Sequence, residues 1–217
     1  MTLNPDRLKL SDDSLERARR IIAILRDDFG LGGDKRLVVG VAGESGSGKS
    51  VAASSLAHEL NAAGFPARVI YQDDYFVLPP ATNHAHRLED IAANVGPQEV
   101  KLALIAEHIA AFRNGSEVVA PLVNYENNRF VTQALDFREA HVLVVEGTYV
   151  LGLEALDVRI FCTATHVQTR ARRAERNRDL DDPIIEQILE LEHQLIAPYG
   201  ATADIRIDFD FRMHRRA

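Results

Sequence analysis

The chain of 217 residues has one cysteine, Cys162, so an internal disulfide cannot form and a reducing cytoplasm suits it better than secretion. That thiol lies in the apolar run 158–162 and reads as inert core. A strongly basic block is also missing, and the formal net charge is -7, which argues against nucleic acid as a partner. The opening residues lack the apolar stretch of a signal peptide, and every apolar run falls short of the roughly 20 residues a membrane span needs. No low-complexity segment marks a second folding unit, and no Asn-Lys-x-Asp motif offers the base reader of a GTPase switch. With 46% hydrophobic and 26% charged residues, the composition suits a soluble enzyme with one sizeable core and no membrane or nucleic-acid partner.

What the chain does have is Gly43-Glu44-Ser45-Gly46-Ser47-Gly48-Lys49-Ser50, set between the apolar run 37–42 and a helix-like stretch that begins at Val51. Strand, glycine loop and helix in that order form a Walker-A cradle for a nucleoside triphosphate, ATP or GTP. Small residues let backbone N–H groups turn inward on phosphate, and the N-terminus of the next helix adds positive potential. Lys49 can reach the outer phosphates, and the Ser50 hydroxyl can hold Mg²⁺. The motif does not distinguish a kinase from an ATPase or a nucleotide-binding regulator.

The periodicity predicts a leading helix over 11–29, capped by Ser11 with Asp13 or Ser14 as competing caps and stopped by Gly30. This segment, within 1–36, is expected to pack outside the domain of 37–217, with dimerisation or regulation as a further role, so a homo-oligomer stays open. A helix to 63, a strand at 67–71, a long loop with at most one helical turn at 77–96 and a helix at 98–113 follow. Strands are expected at 117–122, more weakly at 131–135, then at 141–145, 158–162 and 203–207, with helices at 166–178 and 183–196. Alternating strands and helices imply a parallel sheet covered on both faces, whose ligands collect at the strands' carboxyl ends. The glycine loop, Asp73-Asp74 and Glu146 all fall at such ends.

Phosphoryl transfer needs charge neutralisation, a metal held by hydroxyl and carboxylate oxygens, and a group that deprotonates the acceptor. Lys49 serves the first need, and Ser50, Glu146 and Asp73 the second. Asp73 is also the candidate base. The bland alternatives are a capped strand-end turn for Asp73-Asp74 and a solvated strand end for Glu146. Arg170, Arg172, Arg173, Arg176 and Arg178 crowd one predicted helix, either as a solvated face or as a lid at about 166–183 that carries guanidinium groups over the phosphates.

The order of these motifs resembles the uridine kinase, phosphoribulokinase and pantothenate kinase group of P-loop kinases, uridine kinases most closely. The matching residues are Gly43 to Ser50, Gln72-Asp73 with Tyr75-Phe76, Pro121, Val145-Glu146-Gly147, Arg172-Arg173 with Arg176, Glu186 to Leu189, and Pro198. The resemblance covers about residues 37 to 208. It implies a nucleoside-monophosphate-kinase-like three-layer α/β/α fold with a five-stranded parallel core sheet, ATP or GTP with Mg²⁺, Asp73 as base, and Arg176 as a lid arginine. It departs on the acceptor side: 93–97 stands where an Asp-His-Pro segment is expected, Pro121-Leu122-Val123-Asn124 where Pro-x-Tyr-Asp is expected, and Asp181 and Pro183 where further lid arginines are expected. Asp74, Tyr75, His84, Asn124, Tyr125 and Arg129 are therefore read as lining a pocket for a small hydroxyl-bearing substrate, a nucleoside first. An acid or sugar phosphate would instead want Arg129 or Arg87 as a clamp.

Overall fold

The computed structural model describes residues 10–175 and 183–216. They form, in chain order, α1 (Asp12–Phe29), β1 (Leu37–Gly43), α2 (Lys49–Ala62), β2 (Ala67–Tyr71), α3 (Pro80–Glu89), α4 (Ile91–Asn94), α5 (Leu102–Arg113), β3 (Glu117–Asn124), β4 (Arg129–Asp136), β5 (Val142–Glu146), β6 (Val158–Cys162), α6 (His166–Glu175), α7 (Pro183–Ile196), α8 (Tyr199–Thr202), β7 (Ile205–Ile207) and β8 (Met213–Arg215).

Every residue of β1 and of β5 is buried, as a parallel strand covered on both faces requires. The main sheet runs β2-β5-β1-β6-β7-β8, parallel as far as β7, with β8 antiparallel at the edge. Two apolar layers lie against it. One contains Val38, Ile70, Ile105, Phe112, Leu143 and Val145, and the other contains Val39, Val41, Leu56, Leu60, Val144 and Ile160. Cys162 belongs to the second layer, and burial pushes its thiol up to about 12.

Ser11 caps α1 in a reciprocal pair with Ser14, and Gly30 ends it in the left-handed region at φ 73°. The apolar stripe Ile21, Ile22, Ile24 and Leu25 packs with Leu56 and Leu60 of α2, and Arg19 pairs with Glu59 at 2.9 Å. Among the described residues no helix is long and apolar enough to cross a membrane.

Two expectations need correction. The loop at 77–96 is largely helical, as α3 and α4. Pro80 opens α3 at its first turn, but Asn83 is its only buried residue, so no apolar period announces it. The helix expected from 98 begins at Leu102, because Val100 forms a bridge with Phe76 and the Lys101 N–H donates to the Tyr75 carbonyl at 2.8 Å. The strand expected more weakly at 131–135 is present as β4, paired with β3 along its whole length as a two-stranded hairpin. β8 had no counterpart in the sequence reading.

Candidate active site

The glycine loop owes its shape to backbone that side chains would obstruct. Gly46 has φ 76° and Gly48 has φ 96°, both in the left-handed region. A Cβ on Gly46 would stand 2.9 Å from Arg173 Cγ, and one on Gly48 would stand 3.0 Å from Phe211. α2 begins at Lys49, directing its free N–H groups at the loop, with Ser50 and Val51 in the first turn. Ser47 Oγ is buried inside the loop with no hydrogen-bond partner, an orphan that a phosphate oxygen would satisfy. The cradle fits a polyphosphate.

Glu146 closes the other side. β5 lies between β1 and β2, which sets Glu146 level with Val41 and Tyr71. Ser50 Oγ donates to Glu146 Oε1 at 3.1 Å, and Lys49 Nζ stands 3.9 Å from the same oxygen. Burial pushes the Glu146 carboxyl well above its ordinary range; the Lys49 ammonium pulls it back, and the charge of Asp73 raises it further. A buried carboxylate beside a serine hydroxyl is an oxygen donor set suited to Mg²⁺.

Gly147 brings the end of β2 close. A Cβ there would lie 2.2 Å from Gln72 Cβ, and Gln72 Oε1 accepts from the Tyr149 N–H at 2.8 Å. The turn after β2 then parts its neighbouring side chains. Asp73 is exposed at the strand end. Asp74 is buried, and its Oδ1 accepts from the Val123 N–H at 2.9 Å, tying this turn to β3. Tyr75 is a correction: it is 1% exposed, sits in the core, and shares its hydroxyl with His108 Nδ1 at 2.8 Å, so it does not line an acceptor pocket.

Burial raises the Asp74 carboxyl from 3.8 to about 6, against the Val123 hydrogen bond and with help from the charge of Asp73. A carboxyl raised in the fold stabilises fully below its unfolded value and loses that contribution as pH climbs through the folded one, here between about pH 4 and 6. Asp74→Asn, which keeps an oxygen for Val123, is therefore expected to raise the melting temperature at pH 8, by up to about 3 kcal/mol of stability, and to change little at pH 4. Equal shifts at both pH values would disprove it.

The remaining residues expected on the acceptor side lie on the β3–β4 hairpin and on α3. Asn128, at φ 43°, accepts from the Ala81 N–H at 2.8 Å and donates to Thr82 Oγ1 at 3.0 Å, fastening the tip to the first turn of α3. Asn124 and Arg129 face each other across this turn, with exposed Tyr125 between them and exposed His84 on α3. Asn124 Oδ1 accepts from the Asn127 N–H at 3.1 Å, so its carbonyl is engaged within the turn. Arg87 is no clamp for an acid, since it is bonded to Glu99 and, at 3.1 Å, to Glu192.

The Glu44 side chain is also committed away from the cradle. Its carboxylate accepts from the His166 backbone N–H, from His166 Nδ1 at 3.1 Å and from His193 Nδ1 at 2.7 Å, leaving only its backbone to the loop. α6 rests on the loop through Thr169 Oγ1, which donates to the Ser45 carbonyl at 3.1 Å, and through buried Arg173, which pairs with Glu186 at 2.9 Å. Arg176, Arg178 and Asp181, with the side chains of Arg172 and Pro183, lie outside the described residues. Glu99, Glu192, Tyr149, His193 and Phe211 escaped the sequence reading. Each sits in a segment whose pattern reads equally well as a plain amphipathic helix, strand or turn.

The family described as phosphoribulokinase / uridine kinase matches residues 38–209. The uridine kinase of Staphylococcus carnosus is 29% identical over 183 residues, covering 78% of this chain and 86% of that protein. A bifunctional alpha-galactosidase/sucrose kinase of Mediterraneibacter gnavus is 27% identical over 82% of this chain, which spans 20% of that longer protein. Among solved structures, the phosphoribulokinase of Rhodobacter spheroides superposes with a TM-score of 0.63 at 16% identity, covering 81% of this chain and 71% of the other. The D-glycerate 3-kinase of Cryptococcus neoformans gives a TM-score of 0.58 at 11% identity, covering 95% and 100%. At such identities these two likenesses concern the fold alone. Since the match runs from β1 through the glycine loop and Glu146 to the segment after β7, the chain belongs to the phosphoribulokinase / uridine kinase family of P-loop proteins and is a nucleotide-using small-molecule kinase.

Proposed function

We propose that the chain transfers the terminal phosphate of ATP, or GTP, to a hydroxyl of a small metabolite, with a nucleoside as the leading acceptor. The observation that carries this is the Glu146 carboxylate at the end of β5, hydrogen-bonded to Ser50 and beside Lys49, with the charge of Asp73 close enough to disturb it. Loop amides and Lys49 bind the phosphates, while Ser50 and Glu146 offer oxygens to Mg²⁺. That ion, when bound, neutralises charge on the transferred group. Asp73, exposed in the turn after β2, takes the proton of the incoming hydroxyl. Arg176 serves as the lid arginine. His84, Asn124, Tyr125 and Arg129 frame the acceptor, and uridine kinases among the relatives support a nucleoside there.

A second reading, an acidic or phosphorylated acceptor, draws on Arg129, which is exposed and has no acidic partner among the described residues. Labelled ATP and GTP offered with nucleosides, pantothenate, glycerate, sugars and sugar phosphates test both. Turnover in the usual kinase range of about 1–100 s⁻¹ is expected with a nucleoside. Transfer to an acid or sugar phosphate instead would reassign the acceptor. Tight nucleotide binding with no transfer to any member would favour a regulatory protein.

A further inference from the structure

We propose that Glu44, His166 and His193 form a binding site for a transition-metal cation of the Zn²⁺ class, separate from the oxygen site at Ser50 and Glu146. Their donor atoms, one from each residue, lie within 4.8 Å of one another. They come from three elements: the glycine loop, the first residue of α6 and the last turn of α7.

The charge balance calls for a cation. The Glu44 side chain is 4% exposed, and no lysine or arginine among the described residues lies within ion-pair distance of it. A carboxylate in that position is costly unless donors or a cation meet it, and the described groups that meet it are the His166 backbone N–H and the two imidazoles. Both aim Nδ1 at the carboxylate, at 3.1 and 2.7 Å. Ligands around a tetrahedral zinc stand about 3.3 Å apart, given metal–ligand bonds of about 2.0–2.2 Å, so rotamer-scale rearrangement of these three side chains would bring their donor atoms to that spacing.

The surroundings agree. His166 turns its other nitrogen, Nε2, toward Glu190 Oε2 at 3.7 Å, the carboxylate-behind-imidazole arrangement that orients a ligating histidine. An open cleft of about 450 Å³, lined by His166, Glu186, Glu190 and Gln194 among others, gives the ion a way in. Two imidazoles and one carboxylate leave a fourth position for water. They suit Zn²⁺ or Co²⁺, whereas Mg²⁺ prefers the all-oxygen set at Glu146. A bound ion would fasten α6 and α7 to the loop that holds the phosphates.

The test uses full-length, tag-free protein stripped with a chelator, with neither nucleotide nor acceptor present, so it stands or falls apart from the kinase reading. Calorimetric titration with Zn²⁺ alone is expected to show one site in the wild type, and Co²⁺ to give the strong visible absorption of a four-coordinate ion. His193→Gln, at a side chain 35% exposed, should weaken Zn²⁺ binding about 100-fold, and Glu190→Gln about 10-fold. His214→Gln, at an exposed histidine–aspartate pair, should leave it unchanged. Failure of the wild type to bind Zn²⁺, wild-type affinity retained in His193→Gln, or binding lost in His214→Gln would each overturn the proposal. Melting curves confirm that each variant is folded, and His193→Gln carries the conclusion if Glu190→Gln does not fold.

Discussion

Replacing Asp73 with asparagine is expected to lower phosphate transfer by about 10²- to 10⁴-fold while nucleotide affinity stays near the wild-type value. The exchange removes a charge and a proton acceptor but keeps the shape of the turn after β2. Ser50, Lys49 and Glu146, which hold one another at 3.1 and 3.9 Å, are untouched. The same variant separates two roles for Asp73. If it holds metal rather than taking a proton, the Mg²⁺ concentration needed for half-maximal rate should rise and excess Mg²⁺ should restore turnover. If it is the base, no amount of Mg²⁺ rescues the rate. Nucleotide binding that collapses together with transfer would place Asp73 in the cradle and end the base assignment.

The largest stability effect is expected at Arg87. Its guanidinium bonds to Glu99 and, at 3.1 Å, to Glu192, whose side chains are 3% and 9% exposed. Burial alone would pull the arginine's proton affinity down, but the two carboxylates outweigh that and hold it up. Burial in turn pushes the Glu192 carboxyl above its ordinary range. Arg87→Ala leaves two buried acids without a cation, a loss of about 3–5 kcal/mol, or about 6–20 °C in melting temperature for a chain of this size. The deficit should shrink in acid, where the stranded carboxyls take up protons, and in the combined variant Arg87→Ala with Glu99→Gln and Glu192→Gln. A drop of less than about 2 °C at neutral pH would show that water already compensates these acids.

The phosphate half of the molecule was legible because its information is local. A short apolar run that ends in a glycine loop reads as a covered strand, and glycines at 46 and 48 sit where positive φ is needed. Asp73 and Glu146 could be assigned to strand ends from a few neighbouring residues. The acceptor half was less legible because its order comes from distant partners. α3 buries one residue, Asn83, and is held by Glu99 and by the hairpin tip rather than by an apolar face. Glu44 passed for one more loop residue, since its histidines lie 122 and 149 positions away. Arg87 looked like a spare clamp because Glu192, its partner, stands 105 residues downstream. Tyr75 follows two aspartates that suggest a rim, yet burial decided its direction.

The hairpin of β3 and β4 is stitched to itself from Glu117–Asp136 to Asn124–Arg129 and, among the described residues, shares no strand pairing with the main sheet. It works as an exchangeable cassette. Amino acids at its turn can be swapped without breaking a ladder on which the glycine loop or Glu146 depends. On the proposed acceptor role of this turn, acceptor preference can drift in descendants of this chain, or be redesigned, without disturbing the strands that carry the glycine loop and Glu146.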